Sequence, residues 1–118
     1  MINRHEITRE QALSAIENGE FGKDMLSGEY VIIVMTQDWC PQWVSMNRWL
    51  YGLETDKNIE IYELIYNKTD YSSTFMEFKE NAFGNSQIPY LRIYKNGKLE
   101  KETNYVNMQK LQEMLNQL

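Results

Sequence analysis

The stretch Tyr30-Val31-Ile32-Ile33-Val34-Met35-Thr36-Gln37-Asp38-Trp39-Cys40-Pro41-Gln42-Trp43 decides the fold. Tyr30 to Thr36 is a continuous, largely β-branched run bounded by Gly28 and by Gln37-Asp38. Continuity rather than alternation predicts a strand buried on both faces, the usual state of a central parallel strand. A helix is predicted from Cys40 to about Leu53. Pro41 suits a first helical turn, where the missing N–H has no partner to lose. Met46, Trp49, Leu50 and Leu53 recur at three- and four-residue spacing and are expected to face the core. The chain passes directly from a buried strand into a helix, and its one cysteine stands at the junction.

Working outward, Thr8 to Asn18 reads as a helix. Thr8 and Gln11 fit a capping box, Ala12, Leu13 and Ile16 form an apolar stripe, and Gly19 is a natural residue to follow the end. Asn58 to Tyr66 reads as a second strand, and Asp70 to about Asn81 as a helix with Ser72 or Ser73 as cap. Tyr90 to Tyr94 is a strand. Asn96-Gly97 is the pair favoured in a two-residue hairpin, so Lys98 to Thr103 is expected to return antiparallel. Asn104 is expected to cap a last helix carrying Met108, Leu111, Met114, Leu115 and Leu118 on its apolar side. Pairing of Ile2 to Ile7 at a sheet edge is only weakly signalled. A right-handed β-α-β crossover followed by a hairpin and a closing helix gives an α/β mixed sheet with helices on both faces.

At 118 residues the chain suits one domain, 1–118, with no room for a second core. Twelve basic against seventeen acidic side chains give a net charge of −5. No basic face is indicated, so neither nucleic acid nor an anionic membrane is an expected partner. No apolar run approaches the ~20 residues of a membrane span. The polar start, Met1 to Glu6, lacks the apolar core of a secretory signal, so a cytoplasmic location is expected. One cysteine cannot form an internal disulfide. With a single histidine, His5, expected to be solvated, it cannot supply a four-ligand zinc site either, so no metal is expected.

The chemistry therefore rests on Cys40. At a helix start its sulfur would lie near unpaired backbone N–H groups and the positive end of the helix dipole. An effect of about 1 kcal/mol would lower the thiol pKa by roughly one unit and raise the reactive thiolate fraction. Asp38 would oppose this if it lay close. The bland alternative is an inert, packed thiol. The position after Trp39, at a strand-to-helix junction, favours an exposed and reactive one.

Tyr30 to Met46 resembles the active-site segment of the thioredoxin family, in which an aromatic-Cys pair opens the second helix. Ile88-Pro89-Tyr90 and Lys95-Asn96-Gly97-Lys98 resemble that family's cis-proline loop, hairpin and turn. The resemblance extends over most of the chain from about Thr8. It implies a thioredoxin-like three-layer sandwich, with Cys40 as the attacking cysteine and Trp39 as the aromatic wall before it. Pro41 follows in the motif. Pro89 matches the cis-proline beside the active sulfur, and the Ile88 backbone would pair with an extended substrate peptide.

Two departures agree with each other. The family's resolving cysteine, three residues after the first, is Trp43 here, so the motif reads Cys-Pro-Gln-Trp. The family's buried acid, six residues before the attacking cysteine, is Val34 here. The resemblance then implies a monothiol thiol–disulfide oxidoreductase. Cys40 would attack a protein disulfide or a glutathionylated thiol, and a small external thiol such as glutathione would serve as co-substrate. Oxidation of Cys40 to a sulfenic acid capped by such a thiol is a related route. Trp43 is read either as plain packing or as an apolar wall or stacking surface. No resident cofactor is expected, and a monomer is expected. The rival reading is a redox-silent module holding an extended peptide on Trp39, Trp43 and Pro89. A glutathione-bridged iron–sulfur carrier fits less well, because Cys-Pro-Gln-Trp does not match the Cys-Gly-Phe-Ser motif of monothiol glutaredoxins.

Overall fold

The computed structural model describes all 118 residues. Five strands form one sheet: β1 (Ile2–Glu6), β2 (Tyr30–Thr36), β3 (Ile59–Ile65), β4 (Tyr90–Lys95) and β5 (Lys98–Thr103). Four helices accompany them: α1 (Arg9–Asn18), α2 (Pro41–Asn47), α3 (Ser72–Ala82) and α4 (Met108–Asn116). The strand order is β1-β3-β2-β4-β5, with β3 parallel to both β1 and β2, and β4 antiparallel to β2 and β5. The weakly signalled N-terminal edge strand is thus real. Its register, Ile2 opposite Ile59, is shared with the pairing of Tyr30 to Ile59 on the far side of β3.

Strand alternation sorts the apolar residues into two cores. Val31, Ile33, Met35, Leu64, Tyr90 and Tyr94 face α1 and α3, where Ala12, Ala15, Phe75 and Phe78 meet them. Ile32, Val34, Ile59, Ile61, Leu91 and Ile93 face α2 and α4, with Met46, Leu111 and Leu115. This is the expected helix–sheet–helix sandwich. β2 is buried from Val31 to Thr36, as its continuous apolar run requires. β5 is an edge strand that alternates exposed and half-buried residues and carries Lys98, Glu100, Lys101 and Glu102, charges that discourage pairing with another chain.

Local signals hold at several ends. Thr8 and Gln11 form the reciprocal capping box, and Gly19 ends α1 at φ 78°. Asn96 at φ 53° and Gly97 at φ 80° supply the two positive φ angles that a type I′ hairpin turn needs.

Three helix boundaries differ from the sequence expectation. α2 stops at Asn47, not near Leu53, and a 3₁₀ turn at Leu50–Gly52 follows. The i→i−3 bonds Arg48 to Ser45 and Trp49 to Met46 tighten the chain. Leu50 and Leu53 thereby reach the core beside Ile59 and Ile61, while Trp49 stays only half-buried. α3 starts after Tyr71 with no side-chain cap, and neither Ser72 nor Ser73 serves. α4 is capped by Asn107, whose side chain accepts from the Lys110 N–H at 2.8 Å, and not by Asn104. The later start turns Met108 out to solvent at 45% exposure.

Candidate active site

Cys40 closes a turn after β2 and is the residue that precedes α2. Its N–H bonds the Gln37 carbonyl at 3.3 Å, and its carbonyl accepts from Val44 at 3.0 Å. Pro41 occupies the first helical position, as expected. The Cys40 side chain makes no cap bond to the first-turn amides. Sγ donates instead to the Ile88 carbonyl at 3.7 Å. The Ile88–Pro89 peptide is cis. Strand β4, which follows Pro89, pairs antiparallel with β2, so the start of β4 lies beside the end of β2. That pairing brings residues 40 and 88 together across 48 positions of sequence.

The expectation of an exposed thiol is corrected here. Cys40 is 4% exposed and belongs to the same apolar core as Trp43, Val34 and Leu91. The physical reason is that Ile88, Trp43 and the strands beneath close over a small side chain at a helix start. Trp43 is also 4% exposed and serves as core packing. Pro89 is buried and Ile88 half-buried. Trp39, by contrast, is 64% exposed. Its indole N–H donates to Gln37 Oε1 at 2.6 Å, and Gln37 Nε2 donates to the Tyr66 hydroxyl at 3.2 Å. The exposed ring is therefore held in place, not free.

Asp38 does not act on the thiol through contact. Its carboxylate accepts from Asn67 Nδ2 at 2.6 Å and pairs with Lys68 Nζ at 2.9 Å. The Asn67 hydrogen bond, followed by Lys68, holds this carboxyl below the usual range. At the position of the family's buried acid, Val34 pairs in register with Glu63 of β3. Glu63 is buried, but its carboxylate is taken by Arg4 at 2.9 Å and by the Tyr51 hydroxyl. His5 is half-buried, with 37% of its side chain exposed. It stacks on Tyr62 with ring centroids 4.5 Å apart and meets Glu60 at 2.7 Å.

Sequence reasoning missed the polar groups that hold residues 85 to 89. Lys79 and Asn104 both bond this segment. Lys79 carried a readable signal: it stands four residues after Phe75 on the apolar face of α3, where a lysine has no reason to sit unless its charge is used. Asn104 carried none, because its polar character fits a helix cap equally well. The larger clefts lie to the side of Cys40. One of about 390 Å³ is lined by Ile7, Asp38, Ile65, Lys68, Thr69 and Tyr71, among others. The groups present hold no metal-ligand cluster of three or more His, Cys, Asp or Glu side chains. No helix is long and apolar enough to cross a membrane.

No family model and no curated protein matches the chain. Solved structures do. A thioredoxin mutant from Halobacterium salinarum NRC-1 is similar at a TM-score of 0.69 and 13% identity, over 98% of this chain and 89% of that one. Thioredoxin O1 from Arabidopsis thaliana, in its oxidized state, gives 0.67 and 16%, over 99% and 96%. The short form of thioredoxin f from spinach chloroplast gives 0.65 and 15%, over 98% and 92%. At these identities the likeness establishes the fold.

Proposed function

We propose that this chain, which has the thioredoxin fold, is a monothiol thiol–disulfide oxidoreductase working through Cys40. The observation that carries the reading is the meeting of Cys40 Sγ with the carbonyl of Ile88 at a strand-to-helix junction. In the first step the Cys40 thiolate attacks one sulfur of a disulfide or of a glutathionylated thiol. A mixed disulfide forms at Cys40 and the other sulfur leaves as a thiolate. In the second step an external thiolate, glutathione or a comparable small thiol, attacks that mixed disulfide. Cys40 is released as thiolate and the external thiol ends in the oxidised product. Two electrons pass from the small thiols to the substrate, and Trp43 explains why no second protein sulfur takes part.

The substrate segment is read as extended. The Ile88 N–H donates to no protein acceptor, which leaves a backbone donor beside Cys40 for a strand-like peptide. The exposed, hydrogen-bonded Trp39 ring and the exposed Pro41 offer apolar contact beside it, while Trp43 supports the site from within.

The test is reduction of a glutathionylated peptide by excess glutathione, with wild type and Cys40→Ser. Turnover that is well above the uncatalysed exchange and absent in Cys40→Ser is the expected result. Wild-type turnover no faster than glutathione alone overturns the reading. The burial of Cys40 favours a second one, a redox-silent module that grips an extended peptide. In that case Cys40→Ser binds a peptide partner unchanged, and Trp39→Ala weakens it.

A further inference from the structure

Residues 85 to 88 form no regular element, yet the Asn85–Pro89 segment is gripped from two sides. From α3 the Lys79 ammonium donates to the Asn85 carbonyl at 2.8 Å and to the Gln87 carbonyl at 2.7 Å. From the chain after β5, Asn104 Nδ2 donates to the Pro89 carbonyl at 3.0 Å, to Asn85 Oδ1 at 3.0 Å and to the Gln87 carbonyl at 3.4 Å. Ile88, the residue between Gln87 and Pro89, presents its carbonyl to Cys40 Sγ.

Lys79 is an expensive way to make these bonds. It is 1% exposed and forms no ion pair, although its Nζ lies 5.5 Å from the centre of the Tyr90 ring. A buried ammonium with no counter-charge costs several kcal/mol that an apolar side chain at the same place would not. Its neighbours on that helix face, Phe75 and Phe78, are apolar and packed. Apart from the Tyr90 ring, the polar partners it reaches are the two carbonyls of this one segment.

We propose that Lys79, opposed by Asn104, is a positioning residue of the Cys40 site: it holds residues 85 to 89 so that the Ile88 carbonyl lies on the sulfur. The clamp sets how often the thiol is uncovered. Because Cys40 is 4% exposed and its sulfur lies against the Ile88 carbonyl, it reacts from the fraction of molecules in which this segment has moved. The inference rests on Cys40 being the working group, but it concerns access to the sulfur and not the fate of a substrate.

The experiment is alkylation of Cys40 by iodoacetamide at increasing urea, well below the unfolding midpoint and up to it. Reaction through a local opening gives a rate that is nearly flat in urea, and reaction through global unfolding gives a steep limb. Lys79→Met and Asn104→Ala are expected to raise the flat part roughly tenfold or more, the loss of about one hydrogen bond to a charged donor or its equivalent. Ile59→Ala, at the far end of β3, is expected to move only the steep limb. A flat rate in Lys79→Met equal to wild type, or raised no more than in Ile59→Ala, overturns the proposal. If Lys79→Met does not fold, Asn104→Ala decides by the same two criteria. A protein that turns over no disulfide yet shows the raised flat rate would lose the proposed activity and keep this clamp. Intact turnover with an unmoved flat rate would do the reverse.

Discussion

Cys40 is held by packing and by one polar contact. Its Sγ donates to the Ile88 carbonyl at 3.7 Å, and it makes no cap bond to the first-turn amides of α2. A serine hydroxyl donates to a carbonyl at least as well as a thiol does. Cys40→Ser is therefore expected to leave the thermal midpoint within a few degrees of wild type, which makes it a clean test of chemistry; a drop beyond ten degrees would show that the sulfur is needed for packing. Cys40 was legible in sequence as the candidate nucleophile because its neighbours, Trp39 and Pro41, mark a strand-to-helix junction. Its burial was not, since that depends on Ile88, 48 residues away. The same limit applies to His5 and Asp38, whose partners Glu60 and Tyr62, or Asn67 and Lys68, come from β3 and the turn after it.

Element boundaries followed local chemistry where the chemistry was unambiguous and tertiary packing where it was not. Asn104 and Asn107 are equally good caps on paper. The asparagine nearer the sheet is drawn to the 85–89 segment, and the other caps α4. Asn107→Ala is expected to cost about 1 kcal/mol in urea denaturation, the usual value of a helix cap. A loss within a few tenths would show that α4 is held by Leu111 and Leu115 alone. In α2 the apolar spacing continued past Asn47, and periodicity could not reveal that 3₁₀ bonding would take over. Leu50, fully buried in that tighter turn, is expected to cost about 2–5 kcal/mol when truncated to alanine. A smaller loss would mean that the turn collapses onto the space left behind.

For the molecule as a whole, the response to alkaline pH has two parts of opposite sign. Burial lowers the Lys79 ammonium from 10.5 to about 8, with Glu80 opposing weakly. The native state therefore gives up this proton before the unfolded chain does. Between about pH 8 and 10.5 stability rises with pH, by up to about 3 kcal/mol from this one group. Burial raises Tyr90 to about 12, aided by its bond to Glu102, and raises Tyr51 and Tyr94 as well. Their contribution is fully present below pH 10 and is lost above it, as the unfolded chain ionises first. Urea midpoints are expected to climb from pH 8 towards 10 and then fall. Lys79→Met should abolish the climb and keep the fall, and a wild-type curve without a climb would show that the ammonium is better solvated than its burial indicates.

The amino-acid sequence by itself determined the layers of this protein. The unbroken run Val31 to Thr36 can be satisfied only by burial on both faces, and Asn96-Gly97 can turn only one way. The tertiary structure alone decided which groups meet around Cys40. A hydrogen bond from Sγ to the Ile88 carbonyl, a lysine buried to hold that carbonyl's neighbours, and an asparagine diverted from a helix to the same loop all join residues far apart in the chain. Hydrophobic periodicity is a local property read within a few residues, whereas the partners of buried polar groups are set by where the sheet order β1-β3-β2-β4-β5 brings strand ends together.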